Sequence, residues 1–194
     1  TAVVIAGAVN ARTDENAGID GDLVFDGNPL DPCDPVLGPT CIGINVSIKV
    51  RLQGAFLTAP GQSLMQDHLR EKAYIPASEP YENMQYFTHY GDGGGEVVSD
   101  SATIFGATGN NAIVDWVFVE LRSSFDLDSI YHTRSALLTA DGHVVDMDGD
   151  TVLHFPTANA GSFFVVVRHR NHLGIMTAEA LELSPIVQEI DFTD

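Results

Sequence analysis

The chain has 194 residues, with 27 acidic and 9 basic side chains and a formal net charge of −18. That length can bury the core of one domain, or of one domain with an extension, without disulfides or metals to hold it. So few cations argue against nucleic acid and anionic membranes as partners, and no uninterrupted apolar run reaches the roughly 18 residues of a membrane span.

Thr1 to Ala11 (TAVVIAGAVNA) reads as an isolated, uncharged strand, with Val3, Val4, Ile5 and Val9 around the small Ala6, Gly7 and Ala8. A strand must pair its backbone groups somewhere. Three readings stand: it folds back on its own domain, it is a signal-peptide remnant ending at Val9-Asn10-Ala11, or it fills a groove in a neighbouring subunit. Arg12 to Thr40 is dense in Asp, Gly, Asn and Pro, and reads as a long loop with one short strand at Leu23 to Phe25. At about 29 residues and up to ~3.3 Å each, it is long enough to reach a second copy. Cys33 and Cys41 close a short turn-rich stretch with no histidine. A disulfide is expected there rather than a metal site, and with it an oxidising, extracellular compartment.

The expected β-sandwich domain runs over 42–194, after the strand at 1–11 and the loop at 12–41. Ile42 to Gln53 alternates cleanly, with Ile44, Val46, Ile48, Val50 and Leu52 inward and Asn45, Ser47, Lys49 and Arg51 outward. Ser63 to Lys72 predicts the one short helix, capped by Ser63, with Leu64, Met65, His68 and Leu69 on one stripe. Ala73 to Tyr90 is irregular and aromatic, Gly91 to Gly95 is a glycine turn, and 96–99 and 102–105 are short strand candidates. Ala112 to Arg122 is apolar on both faces around Trp116. After a connection over 126–133, Ser135 to Ala140 and His143 to Asp146 predict a hairpin about Asp141-Gly142. A strand over 152–155 follows, then a turn at 159–161. Ser162 to Val167 is again apolar on both faces and ends in the basic cluster Arg168-His169-Arg170-Asn171-His172. It is expected to lie beside the Trp116 strand at the centre of the sheet, with one or two last strands over 175–183 and 186–192. Short strands between Gly and Asp turns predict an all-β fold, an antiparallel β-sandwich or jelly roll with an N-terminal extension strand.

The candidate sites are few. Asp146, Asp148 and Asp150 alternate in DMDGD, and Asp20, Asp22 and Asp26 cluster with Asn28. Each set reads either as a surface turn or as a calcium site, and calcium is the one cofactor considered. Arg168 and Arg170 are expected as counterions for Asp115, Glu120 or the aspartate loops. His169 and His172, with His68, His89 or His132, offer a further metal reading. Asn45-Val46-Ser47 is a glycosylation sequon on the outward face. No nucleophile elbow, P-loop or zinc-protease motif occurs; a Ser/His/Asp triad or paired carboxylates assembled in space leave a hydrolase as a third reading, and no enzyme activity is expected.

The pieces VRLQGAF, SLMQDHLR, IPASEPY, GGGE, AIVDWVFVELR, TRSALLTADGHVVDMDG and VVVRHRNHLGIMTA occur in this order between about residues 42 and 184. Together they resemble a β-sandwich module of very large secreted or cell-surface proteins of Bacteroidota and related environmental bacteria. The resemblance implies a secreted, non-enzymatic module and carries no catalytic residues over; it does not cover Thr1 to Thr40. The expected function is an extracellular structural subunit of a pilus-like filament, assembled head-to-tail with its own copies through the N-terminal strand. The mechanism is similar to the donor-strand exchange of chaperone–usher pili, without likeness in sequence. The alternative is a calcium-dependent carbohydrate-binding or adhesive module, in which Tyr74, Tyr81, Tyr86, Phe87 and Tyr90 stack on glycans.

Overall fold

The computed structural model describes residues 12–13, 23–24, 42–56 and 63–193. The strand Thr1 to Ala11, the Cys33–Cys41 pair and the Asp20, Asp22, Asp26 cluster lie outside the described residues. β1 (Arg12–Thr13) and β2 (Leu23–Val24) form a small antiparallel ladder of their own, Arg12 opposite Val24.

Nine strands make the main sheet: β3 (Ile42–Lys49), β4 (Ile113–Ser123), β5 (Ile130–Thr139), β6 (His143–Val145), β7 (Leu153–Asn159), β8 (Gly161–His169), β9 (His172–Met176), β10 (Leu181–Leu183) and β11 (Gln188–Asp191). Their order is β10-β8-β4-β5-β6-β3-β11, with β7 also on β3 and β9 also on β8. The fold is all-β, sandwich-like and antiparallel, except that β11 runs parallel to β3. The predicted central pair is there: Val119 lies opposite Val167 and Leu121 opposite Val165.

The two-faced apolar pattern of β4 has a direct cause. Val117, Val119 and Leu121 face an inner core with Ile44, Val46, Leu138, Phe155 and Val165. Trp116 and Phe118 face a second core, with Tyr81, Val98, Leu137 and Val145. The sheet curls around the first until Ser184, just past β10, reaches β3, where Asn45 N–H donates to the Ser184 carbonyl at 3.0 Å. The irregular segment between residues 73 and 111 covers the second. Phe164, on the outward face of β8 near its free end, is only half-buried, where its strand pattern predicts full burial.

The connections differ from expectation where backbone groups find tertiary partners. The predicted helix Ser63 to Lys72 shrinks to α1 (His68–Glu71), and Ser63 does not cap it. Met65 N–H donates instead to the Ala140 carbonyl and Gln66 N–H to the Ala55 carbonyl, so residues 63–67 form a strap across the sheet edge. The predicted strand at 102–105 is a second helix, α2 (Ser101–Ile104), because Asp100 caps it by accepting from Thr103 N–H at 3.1 Å. Residues 96–99 contribute only an isolated bridge, Ser78 to Val97. β3 ends at Lys49, yet Val50 and Leu52 stay buried as the alternation predicts. The β5–β6 hairpin turns at Gly142 with φ +100°, where an added Cβ would meet the Val50 carbonyl oxygen at 2.9 Å. Among the described residues, no helix is long and apolar enough to cross a membrane.

Candidate functional site

Among the described residues, the sheet is closed at one end and open at the other. Beside β10 the curl is sealed by the contact from β3 to Ser184. At the β9 end a cleft of about 330 Å³ opens between β9 and the chain that follows β3. Val50, Leu52 and Val167 of the inner core form its depth, and Leu173, Ile175 and Phe192 its lips. β9 pairs with β8 on one side only among the described residues, so its other edge is a row of backbone donors and acceptors. Its side chains are exposed too: Leu173 is 98 % exposed, Ile175 and Met176 38 % each.

A histidine chain forms the polar end of this cleft. His169 Nε2–H donates to Asp115 Oδ2 at 3.1 Å. His169 Nδ1 accepts from Asn171 N–H at 3.1 Å and from His172 Nδ1–H at 2.9 Å. His172 Nε2 in turn accepts from Gly54 N–H at 3.3 Å. These partners assign one proton to each ring, on Nε2 of His169 and Nδ1 of His172. Both lone pairs are therefore used, and the chain pins residues 52–55 to the end of β8 instead of activating a nucleophile. Burial raises the Asp115 carboxyl, but the bonds from His169 and from Trp116 N–H, with the charge of Arg170, outweigh it and hold it below the ordinary carboxylate value. Burial, with His169 adding to it and Asp115 opposing, lowers His172.

The basic cluster neutralises β4 as its composition predicts. Arg170 Nη2 donates to both oxygens of Asp115 at 2.9 and 2.8 Å. Glu120 is fully buried; Arg168 Nη1 donates to its Oε1 and Arg122 Nε to its Oε2, each at 2.7 Å.

A third group comes together under the outer layer. Glu79, His89 and Glu96 each aim a ligand atom at a common point, all three within 4.8 Å of one another. The glycine turn makes this possible. Gly94 has φ +104° and its N–H donates to both oxygens of Glu96, at 3.2 and 3.1 Å. Gly93 presses on β5 so closely that a Cβ would lie 2.2 Å from Thr133 Oγ1. Spacing alone could not reveal this cluster, although His89 and GGGE were each conspicuous in the sequence.

The other predicted residues are employed locally. Arg134 Nη2 donates to both Asp146 oxygens, at 2.9 and 2.8 Å, while Asp148 accepts from Asp150 N–H and Asp150 from Val152 N–H, each at 3.0 Å. Asn45 is half-buried rather than free on an outward face: its Nδ2 donates to the Pro185 carbonyl at 2.8 Å, and its Oδ1 bonds His154 at 2.7 Å. Of the five aromatics considered for stacking, Tyr81 is buried, with its hydroxyl donating to the Trp116 carbonyl at 2.8 Å, and Phe87 packs against it. Tyr74, Tyr86 and Tyr90 are exposed.

No family model matches the chain, and neither a curated protein nor a solved structure is similar to it.

Proposed function

We infer that this protein is an extracellular structural subunit that associates head-to-tail, one copy supplying an apolar strand to the open cleft of the next. The observation that carries the reading is the cleft itself. It combines a strand edge unpaired among the described residues, apolar lips and a floor of core residues, the three things an added strand needs. The occupant is Thr1 to Ala11 of a second copy. That segment is uncharged in a chain of net charge −18, so it escapes the repulsion that other acidic stretches would meet. Ala6, Gly7 and Ala8 suit a narrow floor, and Val3, Val4, Ile5 and Val9 suit the apolar lips. A head-to-tail contact that does not close on itself propagates into a fibre. The Cys33 and Cys41 spacing favours a place outside the cell.

A chain beginning at Arg12 tests this. The full chain is expected to form filaments visible by negative stain as concentration rises. The shortened chain is expected to stay monomeric and melt lower, and added Thr1–Ala11 peptide should restore its melting temperature. Filaments from the shortened chain, or no loss of stability, would refute strand exchange.

A further inference from the structure

We propose that Glu79, His89 and Glu96 form a binding site for a divalent transition-metal ion of the zinc type, which ties three segments of the outer layer together where they lie against the sheet. Four carboxylates are buried among the described residues: Glu79, Glu96, Asp115 and Glu120. The fold supplies Asp115 with Arg170 and His169, and Glu120 with Arg122 and Arg168. Glu79 and Glu96 receive no arginine or lysine among the described residues. His89 alone approaches, its Nε2 lying 3.5 Å from Glu79 Oε1. Burying two carboxylates together is costly unless their charge is met. A proton on the imidazole would cancel one charge; a divalent ion cancels both.

The histidine points to a ligand independently of the carboxylates. His89 Nε2 is fully buried and has no hydrogen-bond partner among the described residues, although the side chain as a whole is 13 % exposed. Its other nitrogen, Nδ1, faces Thr133 Oγ1 at 3.4 Å. A proton on Nδ1 leaves the Nε2 lone pair aimed at the carboxylates, a repulsive arrangement that a metal ion between them makes attractive. The His89–Glu79 separation of 3.5 Å is close to the roughly 3.4 Å edge of a tetrahedral zinc site with ~2.1 Å bonds, and all three ligand atoms lie within 4.8 Å of one another.

The surroundings hold the ligands as an outer shell does. Glu79 Oε2 accepts from Tyr81 N–H at 2.6 Å and from Ser135 Oγ–H at 3.3 Å, and its Oε1 accepts from Glu82 N–H at 3.1 Å. Glu96 Oε1 accepts from Ser135 N–H at 3.2 Å, in addition to its bonds from Gly94. These bonds fix both carboxylates against β5 before any ion arrives. One imidazole nitrogen with two carboxylates suits zinc, manganese or ferrous iron better than calcium, which takes six to eight oxygens. The ion would join residues 79, 89 and 96 of the outer layer, which otherwise carries only short helices and one isolated bridge.

The test uses the untagged full chain, stripped with chelator and titrated with zinc alone, in parallel with His89→Gln and Glu96→Gln. Calorimetry is expected to show one equivalent bound by the wild type, with a raised melting temperature. Both variants should lose that binding by at least tenfold while keeping the wild-type circular dichroism. Should Glu96→Gln misfold, His89→Gln decides by itself, because the Nε2 it removes has no hydrogen-bond partner among the described residues. Failure of the wild type to retain zinc, or undiminished binding in His89→Gln, would overturn the proposal. Filament formation is read separately in the same samples, so the outcome here does not depend on strand exchange.

Discussion

Trp116 shows how much one side chain does in this fold. It is fully buried, its indole Nε1–H donates to the Pro76 carbonyl at 2.9 Å, and its own carbonyl accepts the Tyr81 hydroxyl. Both partners belong to the outer layer, so Trp116 couples that layer to the central strand. Trp116→Ala should therefore lose about 3–5 kcal/mol of stability in urea titration, through lost burial and the cavity left behind. An unchanged unfolding midpoint would mean that the outer layer does not need this anchor. The buried acids follow the same logic: Asp115 and Glu120 are tolerated on β4 because guanidinium groups from the end of β8 and from β4 reach them.

At the scale of elements, β9 is the strand whose design needs explaining. Edge strands usually carry lysine, proline or a covering loop to prevent unwanted pairing. β9 reads HLGIM, with no charge beyond its histidine, and four of its five residues are exposed. The neighbouring strand edge beside β10 is covered, so the exposure of β9 is selective. Introducing lysine at Leu173 or Ile175 should abolish filaments in micrographs. Leu173→Lys should lower the melting temperature no further than loss of Thr1–Ala11 does, because a side chain so exposed contributes little to the fold itself. Filaments of ordinary length from either lysine variant would remove β9 from the assembly contact. The strap at 63–67 illustrates the opposite case, in which an element with good helical spacing gives up its helix for hydrogen bonds to the sheet.

The molecule as a whole should lose stability in acid in two stages. Burial lowers both His132, which Asp92 partly offsets, and His172, so each binds its proton less readily when folded. A lowered folded value means that the stabilising contribution is complete above the ordinary histidine value of about 6.5 and declines as pH falls below it. Asp115, also held low, contributes fully above about 3.9 and is lost only as pH falls towards its depressed value. Urea midpoints should therefore be level above pH 7, fall between roughly pH 6.5 and 5, and fall again below pH 4. His172→Gln should lessen the first decline, leaving the part that belongs to His132, and leave the second. A midpoint unchanged between pH 7 and 5 in the wild type would contradict the lowered proton affinity of these half-buried rings. Protonating His172 at Nε2 would also break its bond from Gly54 and loosen the wall of the cleft, so acid should weaken assembly before it unfolds the chain.

Read alone, the sequence determined the all-β class, the inward alternation of β3, the β5–β6 hairpin and the central pairing of β4 with β8. These follow from side-chain periodicity and turn chemistry, which act over a few residues and leave their mark in the order of the letters. It also identified Arg168 and Arg170 as counterions, since a basic cluster at the end of a core strand must meet the acids of the strand beside it. Tertiary structure decided the rest. The shortened α1, the helix at 101–104 and the parallel pairing of β11 depend on which backbone partners are nearest after the sheet has curled. The open cleft exists because one end of that curl is sealed and the other is not. Glu79, His89 and Glu96 meet because positive-φ glycines turn the chain back against β5, and no spacing rule encodes such a convergence.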